Sequence, residues 1–200
     1  LKLYGERISD LIRRVPNGIL IFFPQRGLLS EALKNWTANG FLEEMGRKPH
    51  FSGKEVFVEG EKSSENAKVV EEYKRVAKKD KGAVLFAVFR GRNAEGSNFP
   101  DEEARGIFLV GLPYADYRDP IVKAQIHYFD GLRQGLGERW YLMDAFRAAN
   151  QAIGRGIRHR DDWCHFFLMD RRYASHWRFI SKWARENGIE EISVARKRLY

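Results

Sequence analysis

A single cysteine, Cys164, stands among the 200 residues of this chain. One thiol excludes a disulfide framework within the chain and excludes a metal cluster built on cysteine alone. It suits a reducing, intracellular compartment. No apolar run approaches the ~20 residues that a helix needs to cross a bilayer, which argues against a membrane role. His127, His159, His165 and His176 share no metal-ligand spacing, and surface or packing roles fit them better. No G-x-x-x-x-G-K-[ST] loop occurs to cradle a phosphate, and no acidic cluster stands out to hold Mg²⁺. Internal repeats and low-complexity segments are missing too. The chain opens on Leu1 with nothing resembling a signal peptide, and it is expected to be part of a longer protein.

What is present points to a packed, basic domain. Hydrophobic residues make up 44% and aromatics 14%, enough for a sizeable core. Lysine and arginine number 35 against 27 aspartates and glutamates, a net charge of +8. That balance favours a polyanionic partner, nucleic acid or nucleotide first, over the plainer alternative of a solvated basic surface.

Ile8, Leu11, Ile12 and Val15 recur at helical spacing over 4–15, and Pro16-Asn17-Gly18 turns the chain. "ILIFF" (19–23) is a short continuous apolar run of the buried-strand kind. Helical spacing resumes over 28–36, and 40–54 reads as irregular, with Gly40, Gly46, Pro49 and Gly53. "EVFVEG" (55–60) predicts a second strand. A helix follows over about 65–80, with Ser63 and Ser64 as N-caps, Glu71 and Arg75 spaced to pair, and Gly82 beyond its end. Further strands are expected in 83–89, 105–114 and 164–170, and further helices over about 120–133, 139–157 and 172–187. In the last helix Trp177, Ile180 and Ala184 would share one face. Strand and helix alternate throughout, which predicts an α/β fold: a parallel sheet with helices on both faces, in one domain.

Ligands of such sheets bind beyond the carboxyl ends of the strands. "FRGRNAEGSNF" (89–99) follows a strand and combines two glycines with Arg90 and Arg92, which suits phosphate, although a plain turn would also need glycine. "NQAIGRGIRHRDDW" (150–163) crowds arginines at a helix end. Gln151, Arg155 and Arg158 fall on one helical face and Ala149, Ile153 and Ile157 on the other, so the polar stripe is expected to look out above the strand ends. Arginine suits charge developing on a transferred phosphoryl group. Gly154 and Gly156 would cost about 2 kcal/mol relative to alanine inside a helix, so a close approach or a helix end is expected there. An arginine face without a phosphate cradle suggests half of a two-part ATP site.

These segments resemble a known family. "QAIGRGIRHRDDW" is similar to motif VI, Q-x-x-G-R-x-I-R, of the XPD/FANCJ/RTEL/DinG-like DNA helicases of superfamily two. "PNGILIFFPQ" (16–25) resembles their motif IV, "GRNAEGSNFPDEEARGIFLVGLPY" (91–114) their motif V block, and "MDRRY" (169–173) the D-x-R-[FY] that follows motif VI. The four occur in order across about 16–173. The resemblance implies that residues 1–200 form the second, C-terminal RecA-like motor domain, of P-loop NTPase type but lacking the Walker A loop. ATP with Mg²⁺ would be shared with an N-terminal motor domain of the same protein. An iron–sulfur cluster would belong only to that N-terminal half. The whole would unwind DNA in repair, in the nucleus if eukaryotic and the cytoplasm if prokaryotic, and the isolated domain would be inactive.

By position, the resemblance implies Arg158 as arginine finger, with Arg155 and Gln151 beside it at the ATP γ-phosphate and Gly154 among the nucleotide-binding residues. Glu95, Gly96 and Asn98 would link ATP to DNA. Phe23, Pro24, Gln25, Arg90 and Arg92 would face single-stranded DNA. Asn98 stands where the family usually has aspartate, Ala94 and Gln25 where it has serine, and Cys164 where the close branch has glycine; the stretch 121–140 is short for the family. The rival reading is a stand-alone nucleic-acid-binding or adaptor module on the same fold without ATPase activity. Trp36, Trp140, Trp163, Trp177 and Trp183 are mostly core candidates, Cys164 a buried structural thiol, and Arg196, Lys197 and Arg198 a solvated basic tail.

Overall fold

The structure, a computed structural model, describes residues 1–46 and 48–186; the basic tail at Arg196, Lys197 and Arg198 lies outside them. The elements run α1 (Lys2–Ile12), β1 (Gly18–Phe23), α2 (Arg26–Ala38), β2 (Leu42–Met45), β3 (Lys48–Phe51), β4 (Lys54–Val58), α3 (Ser63–Ala77), β5 (Ala83–Val88), α4 (Arg92–Glu95), β6 (Gly106–Val110), α5 (Pro120–Leu132), α6 (Leu136–Ile153), β7 (His165–Met169), α7 (Arg171–Ser175) and α8 (Lys182–Glu186). They build a 7-stranded sheet of order β2-β3-β4-β5-β1-β6-β7.

From β4 to β7 the sheet is parallel, with Gly18 opposite Ala83 and Ile19 opposite Gly106. Its central strand β1 is buried at every residue. Side chains alternate between two cores, as the period of two requires. Ile19, Ile21 and Phe23 face the core closed by α1 and α2, around the fully buried Trp36. Leu20 and Phe22 face the core closed by α3 and α6. Helices thus cover both faces, as the alternating pattern predicts.

Several expectations need correction. Within the stretch expected to be irregular, Leu42–Met45 and Lys48–Phe51 pair antiparallel, with Glu44 opposite Pro49, and extend the edge of the parallel sheet. Pro49 obscures the strand because it lacks a backbone donor, a loss that strands near a sheet edge tolerate. Lys62, not a serine, occupies the N-cap position of α3, with no side-chain cap. The ion pair on α3 joins Arg75 to Glu72 rather than Glu71. The closing helix is interrupted: α7 and α8 flank a short 3-10 turn over Trp177–Phe179, and Ile180 is extended. Ile180 and Ala184 are still buried, so the apolar positions were legible although the helix breaks. Only Trp36 of the tryptophans is fully buried, while Trp163 and Trp183 are exposed.

Candidate ATP-facing site

The motif V segment leaves the carboxyl end of β5. Phe89 is buried and Arg90 takes a left-handed backbone, φ 59°. Gly91 is required by space: a Cβ there would lie 2.8 Å from Glu59 Oε1 and 2.9 Å from the Val88 carbonyl. Glu59, itself buried, accepts the backbone N–H groups of Val88 (2.9 Å) and Asn93 (3.4 Å) and fixes the start of α4. Asn93 exchanges hydrogen bonds with Asn66 (3.2 Å), and Asn66 Oδ1 accepts the Gly60 N–H. Ser97 Oγ donates to Asn93 Oδ1 at 3.1 Å. Sequence reasoning passed over this buried polar chain because asparagine and glutamate carry no motif of their own here.

Residues 97–105 then descend from the carboxyl edge of the sheet to the start of β6, between α3 and the segment that follows α6. On the α3 side, Tyr73 donates to the Glu103 carbonyl at 2.6 Å and packs edge-on against Phe99, while Lys74 pairs with Glu103 at 2.9 Å. On the other side, Arg155 Nη1 donates to the Ser97 carbonyl at 3.2 Å.

Helix α6 ends at Ile153 with Gly154 as C-cap, four residues short of the expected end at 157. Arg155 and Arg158 therefore lie in the turn after the helix rather than on its face. That turn leads into β7, and the His165 N–H donates to the Arg105 carbonyl at the start of β6 (2.9 Å). The Arg158 backbone is thus tied to the Asp162 side chain near the start of β6 and β7, while the Arg155 side chain reaches the Ser97 carbonyl of motif V. The two glycines have different reasons. A Cβ on Gly156 would lie 2.8 Å from both Cys164 Sγ and Ile107 Cδ1, so this glycine admits the protein's own β6 and the residue that leads into β7. At Gly154 nothing lies nearer than 3.5 Å.

Arg155 Nε also donates to the Gln151 carbonyl (3.2 Å) and Arg158 Nη1 to the Gly154 carbonyl (3.3 Å). Gln151 and Arg158 are exposed. Partial burial, and then the neighbouring Arg158 cation, lower the Arg155 pKa, while Glu95 opposes them. Arg155 thus lies beside the Gln151 carbonyl, the Arg158 cation and the Glu95 carboxylate. Gly96 and the Asn98 side chain are exposed beside them, and the Asn98 carbonyl accepts from Lys74 (2.5 Å). Ala94 is 1% exposed and belongs to the core.

The turn itself hangs on Asp162, which sequence reasoning missed. Its side chain is 0% exposed and its Oδ1 takes Arg105 Nη1 at 2.7 Å and the Trp163 N–H at 2.9 Å. Its Oδ2 takes the Arg158 N–H at 3.1 Å and the Asp101 N–H at 3.4 Å. Burial alone would raise this carboxyl pKa, but Arg105 and the three backbone donors outweigh it and hold the pKa low. The guanidinium of Arg105 lies 4.6 Å from the Trp163 ring, which caps the pair. The signal was an aspartate pair, Asp161-Asp162, closing an arginine-rich run. Burial pushes the Cys164 thiol pKa up, which suits the expected inert structural role.

The motif IV and motif V contacts expected for DNA divide. Phe23 is fully buried against Trp36 and Phe86 and has no face to offer a ligand. Pro24 packs beneath Gly111, and Gln25 is exposed at the N-cap of α2. Arg90 bonds to the buried Asp144 and to the Pro113 carbonyl (3.2 Å), so its charge is committed inward. Arg92 is exposed and holds the Glu61 carbonyl at 2.8 Å.

Phosphate and metal fit this surface differently. Arg158 has an exposed guanidinium, which suits phosphate. Asp101, His159 and Asp162 form the metal-like cluster found among the described residues, but Arg105 pairs with both aspartates, so a cation is disfavoured there. No described helix is long and apolar enough to cross a membrane.

Comparison with known proteins places the chain in a family. Residues 8–187 match the family described as the helicase C-terminal domain. The chain is 36% identical over 188 residues to the regulator of telomere elongation helicase 1 homolog of Drosophila melanogaster, covering 90% of this chain and 19% of that protein. It is 37% identical to the homolog of Drosophila persimilis, covering 90% of this chain and 18% of that one. The chain therefore spans about a fifth of the length of these relatives. Among solved structures, an XPD helicase aligns over 88% of this chain and 29% of its own, with TM-score 0.63 and 22% identity. Xpd4 of S. tokodaii aligns over 90% of this chain and 32% of its own, with TM-score 0.60 and 20% identity. At that identity the structures speak for the fold, which is RecA-like, and the family match covers motifs IV to VI together: the chain belongs to the helicase C-terminal domain family.

Proposed function

We propose that this chain is the second motor domain of an ATP-dependent DNA helicase of the XPD-like family, acting in DNA repair and, in a eukaryote, in the nucleus. The carrying observation is the meeting of motifs V and VI: Arg155 bonded to the Ser97 carbonyl, with Arg158 exposed beside it. ATP with Mg²⁺ binds between this domain and an N-terminal motor domain. That partner supplies the phosphate loop and the metal ligands, since Arg105 already pairs with both aspartates of the metal-like cluster found among the described residues. It also carries any iron–sulfur cluster, because one cysteine cannot hold it.

Bound ATP supplies a γ-phosphoryl group whose charge spreads over its oxygens during transfer. Arg158 stabilises that charge. Arg155 adds a second cation and holds motif V through Ser97, and Gln151 contributes a neutral polar group at the same face. Glu95, Gly96 and Asn98 link the nucleotide side to single-stranded DNA, with Gln25 and Arg92 as exposed contacts. No observation favours the adaptor reading.

The test is Arg158→Ala in the full-length protein. DNA-stimulated ATP hydrolysis should fall about a thousandfold, the scale for a lost arginine finger, while single-stranded DNA binding largely survives. Near-normal hydrolysis would overturn the proposal.

A further inference from the structure

Besides its neighbour Trp163, the donors to Asp162 come from two separate segments, 101–105 and the turn after α6. Its two oxygens join the Arg158 main chain, the Asp101 main chain within the motif V block, and the Arg105 side chain just before β6. The carboxylate is fully buried while the Arg158 side chain is exposed and held by a single backbone carbonyl. Arg158 lies beyond the end of α6, so no helical hydrogen bond fixes its backbone. The anchor of that backbone is the bond from its N–H to Asp162.

We infer that Asp162 is a positioning residue for the arginine finger, holding the Arg158 backbone at a fixed distance from motif V through the Asp162–Arg105 pair. The inference rests on the proposed role of Arg158. Asp162 touches no substrate. It acts by limiting where the Arg158 guanidinium can reach, and an ångström of misplacement is enough to cost a positioned group much of its effect. Asparagine at 162 keeps the size and one acceptor oxygen, but loses the charge that fixes the side chain against Arg105.

The test uses full-length Asp162→Asn, Arg158→Ala and the double variant. Two quantities are read: kcat and KM for DNA-stimulated ATP hydrolysis, and the affinities for ADP alone and for ADP with aluminium fluoride, a mimic of the transferring phosphoryl group. Asp162→Asn should lower kcat at least about tenfold with KM for ATP within about threefold, the pattern of an interaction made only in the transition state. It should weaken the aluminium fluoride complex while leaving ADP binding within about threefold, because such analogues report transition-state contacts. Added to Arg158→Ala, it should weaken the analogue little further, since the group it positions is already gone. A merely structural aspartate would weaken the analogue by the same factor in both backgrounds, and that result overturns the inference. So does a kcat loss from Arg158→Ala that Asp162→Asn does not share. An Arg158→Ala variant with normal kcat overturns the finger reading itself. Should Asp162→Asn not fold, Arg105→Met/Asp162→Leu removes both buried charges together and enters the same comparison.

Discussion

Gly156 shows how one missing side chain fixes a site. Its neighbours at 2.8 Å are Ile107 Cδ1 on β6 and Cys164 Sγ just before β7. Neither is the tip of a long flexible chain, so a methyl group has nowhere to go. Gly156→Ala should destabilise the domain by about 1–3 kcal/mol, the usual cost of overpacking. Gly154→Ala is the control: its backbone is right-handed, φ −65°, and nothing lies within 3.5 Å, so its stability should change by no more than about 1 kcal/mol. Denaturant unfolding of the two variants checks this, and equal losses would refute it. The pair of glycines was visible in the sequence, but its division was not. Spacing cannot say whether a close approach comes from a ligand or from the protein's own sheet.

Among the elements, the turns at the amino edge of the sheet depend on one buried cation. Lys54, 6% exposed at the start of β4, donates to the Asn17 carbonyl (3.0 Å) and to the Lys81 carbonyl (3.1 Å), tying the turn before β1 to the turn before β5. Burial pushes its pKa from the ordinary 10.5 down to about 8. Between those values the unfolded chain holds a proton that the folded chain has released. Stability therefore rises with pH from about 8 to 10.5, by at most about 1.4 kcal/mol per pH unit, and the full cost of the buried charge stands below 8. Lys54→Met should lose this contribution, so the wild-type-minus-variant difference in unfolding free energy should climb between pH 8 and 10. A flat difference would refute it. The sequence showed the parallel strands well, because continuous apolar runs such as Ile19–Phe23 leave no other reading. It concealed the 42–51 hairpin behind Pro49 and Gly46, and it carried α6 past Gly154 because apolar periodicity continues to Ile157 after the hydrogen bonds have stopped. Both misses have one cause: periodicity reports which side chains are apolar, while element boundaries are set by backbone donors and by packing against distant segments.

For the whole molecule, the net charge of +8 overstates the cationic surface available to a polyanion. Lys54 is bound to two carbonyls, Arg105 is closed off under Trp163 beside Asp162, and Arg90 is turned inward onto Asp144. The motif alone treats Arg90 and Arg92 as equivalent, and both are exposed, yet Arg90 is paired with the Asp144 carboxylate while Arg92 holds only the Glu61 carbonyl and keeps its charge unpaired. The two should separate experimentally in the full-length protein. Arg92→Ala should weaken single-stranded DNA binding and reduce the slope of log affinity against log salt concentration by about one phosphate contact, roughly 0.7 for a single strand, with little loss of stability. Arg90→Ala should leave that slope in place and lower stability by about 1–2 kcal/mol, because Asp144 would keep a buried charge facing one fewer cation while water still reaches the Arg90 side. Arg147 also reaches Asp144 but from an exposed position, so it offsets only part of that loss. Salt titrations of DNA affinity alongside denaturant unfolding read both quantities. If Arg90→Ala flattened the salt slope while stability held, the inward pair would open on DNA, and Arg90 would belong to the DNA surface that motif V predicts.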